Sequence, residues 1–165
     1  KSYAMTGWRL GWALAPKPII EMMTNYQSQT VSCAVAATQY AGLEAVLNSE
    51  PSVRKTVQTL IDRKQKIMQA LEELPGAKAF APEGAFYIWL DIRSWLGKSY
   101  EGKKITDSTE LAATLLEKKL VAVVPGLEFG LDGYLRLSFA CSPENATRAV
   151  TRLIEFQSGL AGTSS

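Results

Sequence analysis

The sequence predicts an α/β (α+β) domain in which helices pack on a small sheet. Three observations carry that prediction. Apolar side chains recur at helical spacing over long stretches such as 51–74, they alternate strictly at 86–92 and 134–140, and no internal repeat is present. Helical and strand patterns interleave along the chain, the order of an α/β or α+β layer arrangement.

The first element is an apolar run, Leu10-Gly11-Trp12-Ala13-Leu14-Ala15, closed by Pro16 and Pro18 and read as a buried strand. Residues 17–47 read as helix, broken or bent near 28–32, with Ala36, Ala37, Tyr40, Leu43 and Leu47 at spacings of three and four. Ser49-Glu50-Pro51 starts a second helix, the hydroxyl capping it and the proline falling where its missing N–H costs nothing. Val53, Val57, Leu60, Ile61, Ile67, Met68, Leu71 and Leu74 then share one face until Pro75-Gly76.

From Phe86 to Ile92 the alternation puts Phe86, Ile88, Leu90 and Ile92 on one side and Tyr87, Trp89 and Asp91 on the other, a strand. A loop is expected over 93–106. Asp107 and Glu110 have the spacing of a capping box for a helix running to Lys119. Leu120 to Val124 reads as a short buried strand, Tyr134 to Ala140 as another, and Ser142-Pro143-Glu144 opens a last helix. Trp12, Trp89 and Trp95 are expected to be packing residues.

Composition excludes several classes of function. Eighteen basic against 16 acidic residues leave a net charge of +2, and the basic groups are short and mixed with acids, so nucleic acid is not an expected partner. No apolar run approaches the roughly 18 residues of a membrane span, and no membrane association is expected. The chain has no histidine, which rules out Ser-His-Asp and Cys-His systems and His-ligated metals built from these residues. Two cysteines, Cys33 and Cys141, make neither a C-x-x-C unit nor a disulfide scaffold, so a reduced, cytoplasmic setting and no metal are expected.

Two side chains stand out singly. In Tyr134-Leu135-Arg136-Leu137-Ser138-Phe139-Ala140 the period of two sends Leu135, Leu137 and Phe139 to the core and Arg136 to the opposite face. A guanidinium fork on a rigid strand suits a substrate carboxylate, and the alternative is a surface arginine paired with an acid. Lys1 has a reactive side-chain type, but an ordinary lysine is neutral in only about one molecule in 2,500 at pH 7, so a nucleophilic role needs burial or a nearby cation such as Arg9. Taken alone it reads as a frayed surface group.

Residues 1–11, Lys1-Ser2-Tyr3-Ala4-Met5-Thr6-Gly7-Trp8-Arg9-Leu10-Gly11, resemble the signature of class-I pyridoxal-phosphate aminotransferases, in which a lysine precedes a glycine turn and an arginine. Pro82-Glu83-Gly84-Ala85-Phe86-Tyr87, Val124-Pro125-Gly126 with Phe129-Gly130, and Leu135-Arg136-Leu137-Ser138-Phe139-Ala140 resemble that family's later landmarks, in the same order. The resemblance implies that Lys1 forms a Schiff base with pyridoxal 5'-phosphate, that Arg9 binds the cofactor phosphate, and that Arg136 binds the substrate α-carboxylate. It implies transfer of an amino group between an amino acid and a 2-keto acid by a homodimer, with Tyr3 to Arg9 favouring the aspartate or aromatic branch.

The same resemblance places residues 1–20 at the C-terminal edge, with the last strand region, of a cofactor-binding large domain. It makes 21–50 an interdomain or interface helix and 51–160 a small C-terminal domain, and the small polar residues of 161–165 read as a disordered tail. Gln27 to Ser32 resembles a dimer-interface segment. Some aspartate-specific members carry an arginine in that segment, and residues 30–36 here contain none. The chain is therefore expected to be a C-terminal portion beginning at the Schiff-base lysine, without the groups the family places ahead of it and inactive alone. The competing readings are a carbon–sulfur β-lyase of the same fold and a non-catalytic dimerisation or regulatory domain.

Overall fold

A computed structural model describes residues 1–162, which divide into two compact units, Lys1–Gln58 and a second that begins at Thr59. The first unit opens with a loop containing a 3₁₀ turn at Thr6–Trp8, followed by helices α1 (Lys17–Thr30) and α2 (Ala36–Asn48). Pro16 and Pro18 start α1, because a proline in the first turn forfeits no helical hydrogen bond. The break between the helices falls at 31–35, where Ser32 takes a left-handed φ of 64°. Thr38, Gly42 and Ala45 are the buried side of α2, and a Cβ on Gly42 would collide with the Leu10 side chain. The unit boundary falls inside helix α3 (Glu50–Glu72).

The strand expected at 10–15 is corrected. A strand exists only as a ladder with a neighbour, and this run pairs with no other strand among the described residues, leaving Leu14 fully exposed at 100%. The sequence criterion saw apolarity and punctuation, which do not supply a partner.

The second unit holds the core. Strands β1 (Lys78–Phe80), β2 (Tyr87–Asp91), β3 (Ser99–Tyr100), β4 (Lys103–Lys104), β5 (Val124–Pro125), β6 (Tyr134–Ser138) and β7 (Leu160–Ala161) form two sheets, with helices α4 (Ser108–Lys119) and α5 (Pro143–Ser158). The larger sheet runs β1-β2-β6-β5 and the smaller β4-β3-β7, with every pairing antiparallel. Pro125 sits on the edge strand β5, where no ladder donor is required of it.

The alternation read in 86–92 holds: Ile88, Leu90 and Ile92 are fully buried with Leu135, Leu111, Leu115, Leu153 and Phe156. Trp95 packs in this core and donates its indole N–H to the Pro75 carbonyl at 3.0 Å. From α3 the core takes Ile67 and Leu71, whereas Val57 and Ile61 on the same predicted face are exposed. Ser142 caps α5 by accepting from the Asn145 N–H, and Asp107 caps α4 by accepting from the Glu110 N–H at 2.8 Å. The capping box is displaced by one residue, since Glu110 reaches back to the N–H of Thr106 instead of Asp107.

Further differences are local. The strand expected over 120–124 shortens to its last residue and Pro125, because Leu120 turns left-handed at φ 53° to end α4 and the N–H groups of Leu120 and Val121 go to helix carbonyls. The loop expected over 93–106 contains β3 and β4. Of the tail expected over 161–165, Ala161 is instead in β7, paired with Ser99, and the last three residues lie outside the described ones. Among the described residues no helix is long and apolar enough to cross a membrane.

Candidate functional site

Within the first unit, Lys1 and Arg9 border one cavity of about 420 Å³, together with Thr6, Leu10, Trp12 and Gly42. Local turns bring them there. The Ala4 N–H donates to the Lys1 carbonyl and the Trp8 N–H to the Met5 carbonyl, both at 3.0 Å. Ala4 and Arg9 take left-handed φ values of 54° and 53°, a region that residues other than glycine enter rarely, so the loop reverses twice in nine residues. The guanidinium of Arg9 donates to the Thr6 carbonyl at 3.4 Å, across the 3₁₀ turn. Trp12, expected to pack, is 74% exposed and borders the same cavity.

Arg136 belongs to the second unit. It lies on the inner strand β6, paired across to Trp89 on β2 and to Val124 on β5. The side-chain period puts Tyr87, Trp89, Asp91, Tyr134, Arg136 and Ser138 on the face away from the core, as the sequence indicates. Its guanidinium carbon is 4.3 Å from the Tyr87 ring centre and 4.7 Å from that of Phe129. No ion pair between Arg136 and an acid forms among the described residues.

Sequence reasoning did not single out these rings as neighbours of Arg136. The alternation placed Tyr87 and Arg136 each on a non-core face. It could not say that the two strands are adjacent or in what register. Trp89 is likewise half-buried in an aromatic group, stacked on Tyr134 at 5.6 Å and 17° and edge-on to Phe129 at 5.6 Å and 78°. Cys33 and Cys141 are both free thiols, and no group of three or more metal-ligating side chains forms among the described residues.

The family described as aminotransferase class I and II matches residues 1–153. The chain belongs to that family. Similar proteins include an aspartate aminotransferase of Streptomyces avermitilis, 42% identical over 93% of this chain and 38% of the relative. Another is an aspartate/prephenate aminotransferase of Cereibacter sphaeroides, 39% identical over 98% of this chain and 40% of the relative. Among solved structures, the aspartate aminotransferase of Rhizobium meliloti superposes with a TM-score of 0.92 at 35% identity, covering 98% of this chain and 40% of that one. The aromatic aminotransferase of Pyrococcus horikoshii superposes at 0.83 with 34% identity, covering 94% and 40%.

This aminotransferase-family chain thus spans about 40% of the length of the relatives it matches. Within that span its first unit offers a primary amine, a guanidinium and a hydroxyl around a cavity in the size range of small-molecule sites. That donor set fits a ligand carrying both a carbonyl carbon and a phosphate, since an amine condenses with the first and a fork of N–H groups takes the second. Pyridoxal phosphate has both groups.

Proposed function

We propose that this chain contributes the lysine and two arginines of a pyridoxal-phosphate-dependent aminotransferase acting between an amino acid and a 2-keto acid, of the aspartate or aromatic type. The single observation that carries the reading is the shared cavity of Lys1 and Arg9, in a chain of aminotransferase family. When bound, the cofactor supplies an aldehyde that combines with amines and a ring that draws electron density from the substrate.

The chain's own residues do the rest. Arg9 holds the phosphate through charge-assisted N–H bonds, and the Lys1 amine holds the aldehyde end. Arg136 takes the α-carboxylate with its planar fork, which stays charged at any working pH. The Lys1 Nζ would take the proton from the substrate Cα as a base and give it up again as an acid, so one amine would serve both proton transfers. None of these steps requires a histidine or a metal.

The aspartate and aromatic names of the similar proteins support the substrate classes. The exposed apolar side chains of α1 and α2, among them Met22, Tyr26 and Tyr40 at 72–75% exposure, support a homodimer or another covering surface. A cytoplasmic setting accords with the two free thiols. The 165 residues by themselves are proposed to be inactive, because they span only about 40% of the length of the relatives they match.

The test is borohydride reduction of the cofactor-loaded enzyme that contains this chain, followed by peptide mapping. The cofactor tag is expected on Lys1, and a tag on another residue or on none would overturn the reading. Product analysis then separates the alternatives: a paired amino acid and keto acid mark a transaminase, and ammonia with pyruvate marks a lyase.

A further inference from the structure

Arg136 is held in an unusual way for a charged side chain on an inner strand. Two aromatic rings lie within 5 Å of its guanidinium carbon, Tyr87 at 4.3 Å and Phe129 at 4.7 Å, while no carboxylate pairs with it among the described residues. An acid partner would fix the guanidinium but would also occupy its N–H donors and neutralise its charge. A ring attracts the cation through its π face and leaves the N–H edge for another acceptor.

Both rings sit on rigid supports. Tyr87 pairs with Ser138 and Trp89 with Arg136, so Tyr87 is the diagonal neighbour of Arg136 on the same sheet face. Phe129 ends the 3₁₀ turn Gly126–Phe129 that follows β5, a turn closed by the Gly130 N–H on the Leu127 carbonyl at 2.9 Å and the Leu131 N–H on the Gly126 carbonyl at 3.1 Å. Trp89 braces Phe129 edge-on from the neighbouring strand.

We propose that Tyr87 and Phe129 are positioning residues that orient the Arg136 guanidinium by ring contact so that its N–H donors are presented, already aligned, to a carboxylate. This rests on the reading of Arg136 as the carboxylate fork and adds what holds the fork. The rings limit the orientations the long side chain samples, so less freedom is lost when the ligand arrives.

The experiment measures, in the cofactor-loaded enzyme, the dissociation constant of propionate as a non-reacting monocarboxylate, followed by the cofactor's absorbance, together with KM and kcat for the amino acid. Phe129→Leu and Tyr87→Leu are each expected to weaken propionate and raise KM by about two- to fivefold, the range of an exposed cation–ring contact, with a smaller change in kcat. Phe129→Tyr and Tyr87→Phe, which keep a ring, are expected to restore both values. Wild-type affinity in both leucine variants, while Arg136→Lys loses propionate, overturns the positioning role and leaves the reading of Arg136 intact. Wild-type affinity in Arg136→Lys removes that reading and this inference with it.

Discussion

The backbone N–H of Ser108 donates to the Asp132 carboxylate at 2.8 Å, joining the first turn of α4 to the turn before β6 across 24 residues of sequence. The Ser108 hydroxyl, fully buried, also accepts from the Leu127 N–H at 3.3 Å. One serine therefore grips both ends of the segment that carries Phe129 and leads into the strand of Arg136.

Removing that grip is expected to loosen the segment before it unfolds the domain. Asp132→Ala should cost about 1 kcal/mol, the usual worth of a side-chain cap on a helix start, and Asp132→Asn less because an acceptor oxygen remains. Denaturant unfolding measures the first effect. Faster hydrogen exchange at Ser108 and Leu127 should accompany it, and unchanged exchange would contradict the clamp.

Gly126 is the tightest point of the same segment. A Cβ there would run into the Leu131 and Tyr134 carbonyl oxygens, which are backbone atoms and cannot swing aside. Gly126→Ala is therefore expected to destabilise by roughly 1–3 kcal/mol, as overpacking does, and to weaken carboxylate binding by displacing Phe129. The same substitution at Gly130, φ 76°, meets no neighbour within 4 Å and is expected to cost about 1 kcal/mol through backbone strain alone. Thermal melts of the two variants give the comparison.

Acid should unfold the second unit along a definite path. Hydrogen bonding from the Arg93 side chain holds the Asp91 carboxyl below the usual range, the Ser108 side chain does the same for Asp132, and the Thr106 backbone N–H for Glu110. Each group binds its proton less tightly folded than unfolded, so the unfolded chain carries more protons in between. The stability they confer is present above the ordinary carboxylate values near pH 4 and is lost as pH falls through their lower folded values. Unfolding free energy measured from pH 6 to pH 2 should decline only below about pH 4, and Asp91→Asn should flatten part of that decline.

Arg9 is expected to govern cofactor retention. Loss of a charge-assisted hydrogen bond is worth about 1.5–3 kcal/mol, so Arg9→Ala should weaken pyridoxal phosphate by roughly 10- to 100-fold, and Arg9→Lys by less. Absorbance titration of the apoenzyme measures this. Wild-type affinity in Arg9→Ala would remove Arg9 from the cofactor site.

Element identity in the second unit was legible where its signals are local. The alternation of Tyr87–Asp91 and of Tyr134–Ser138, the serine cap of α5 and the aspartate cap of α4 each depend on residues within a few positions of one another. The three-residue strand β1 was not legible, since Lys78-Ala79-Phe80 is too short to show a period and becomes a strand only by pairing with β2. The run at 10–15 fails in the opposite sense, apolar enough to suggest a strand but without a ladder.

The candidate site divides in the same way. The linear order of residues by itself determined which groups could do chemistry, because the lysine, the arginine eight positions on and the arginine amid alternating apolar residues are local patterns with chemical meaning. Only the tertiary structure decided what surrounds them. Two left-handed residues turn Lys1 and Arg9 to one cavity, and antiparallel register with a 3₁₀ turn sets Tyr87 and Phe129 against Arg136. Those contacts join residues 7 to 49 positions apart, and a chain reveals such neighbours only after backbone pairing and core burial have selected one register.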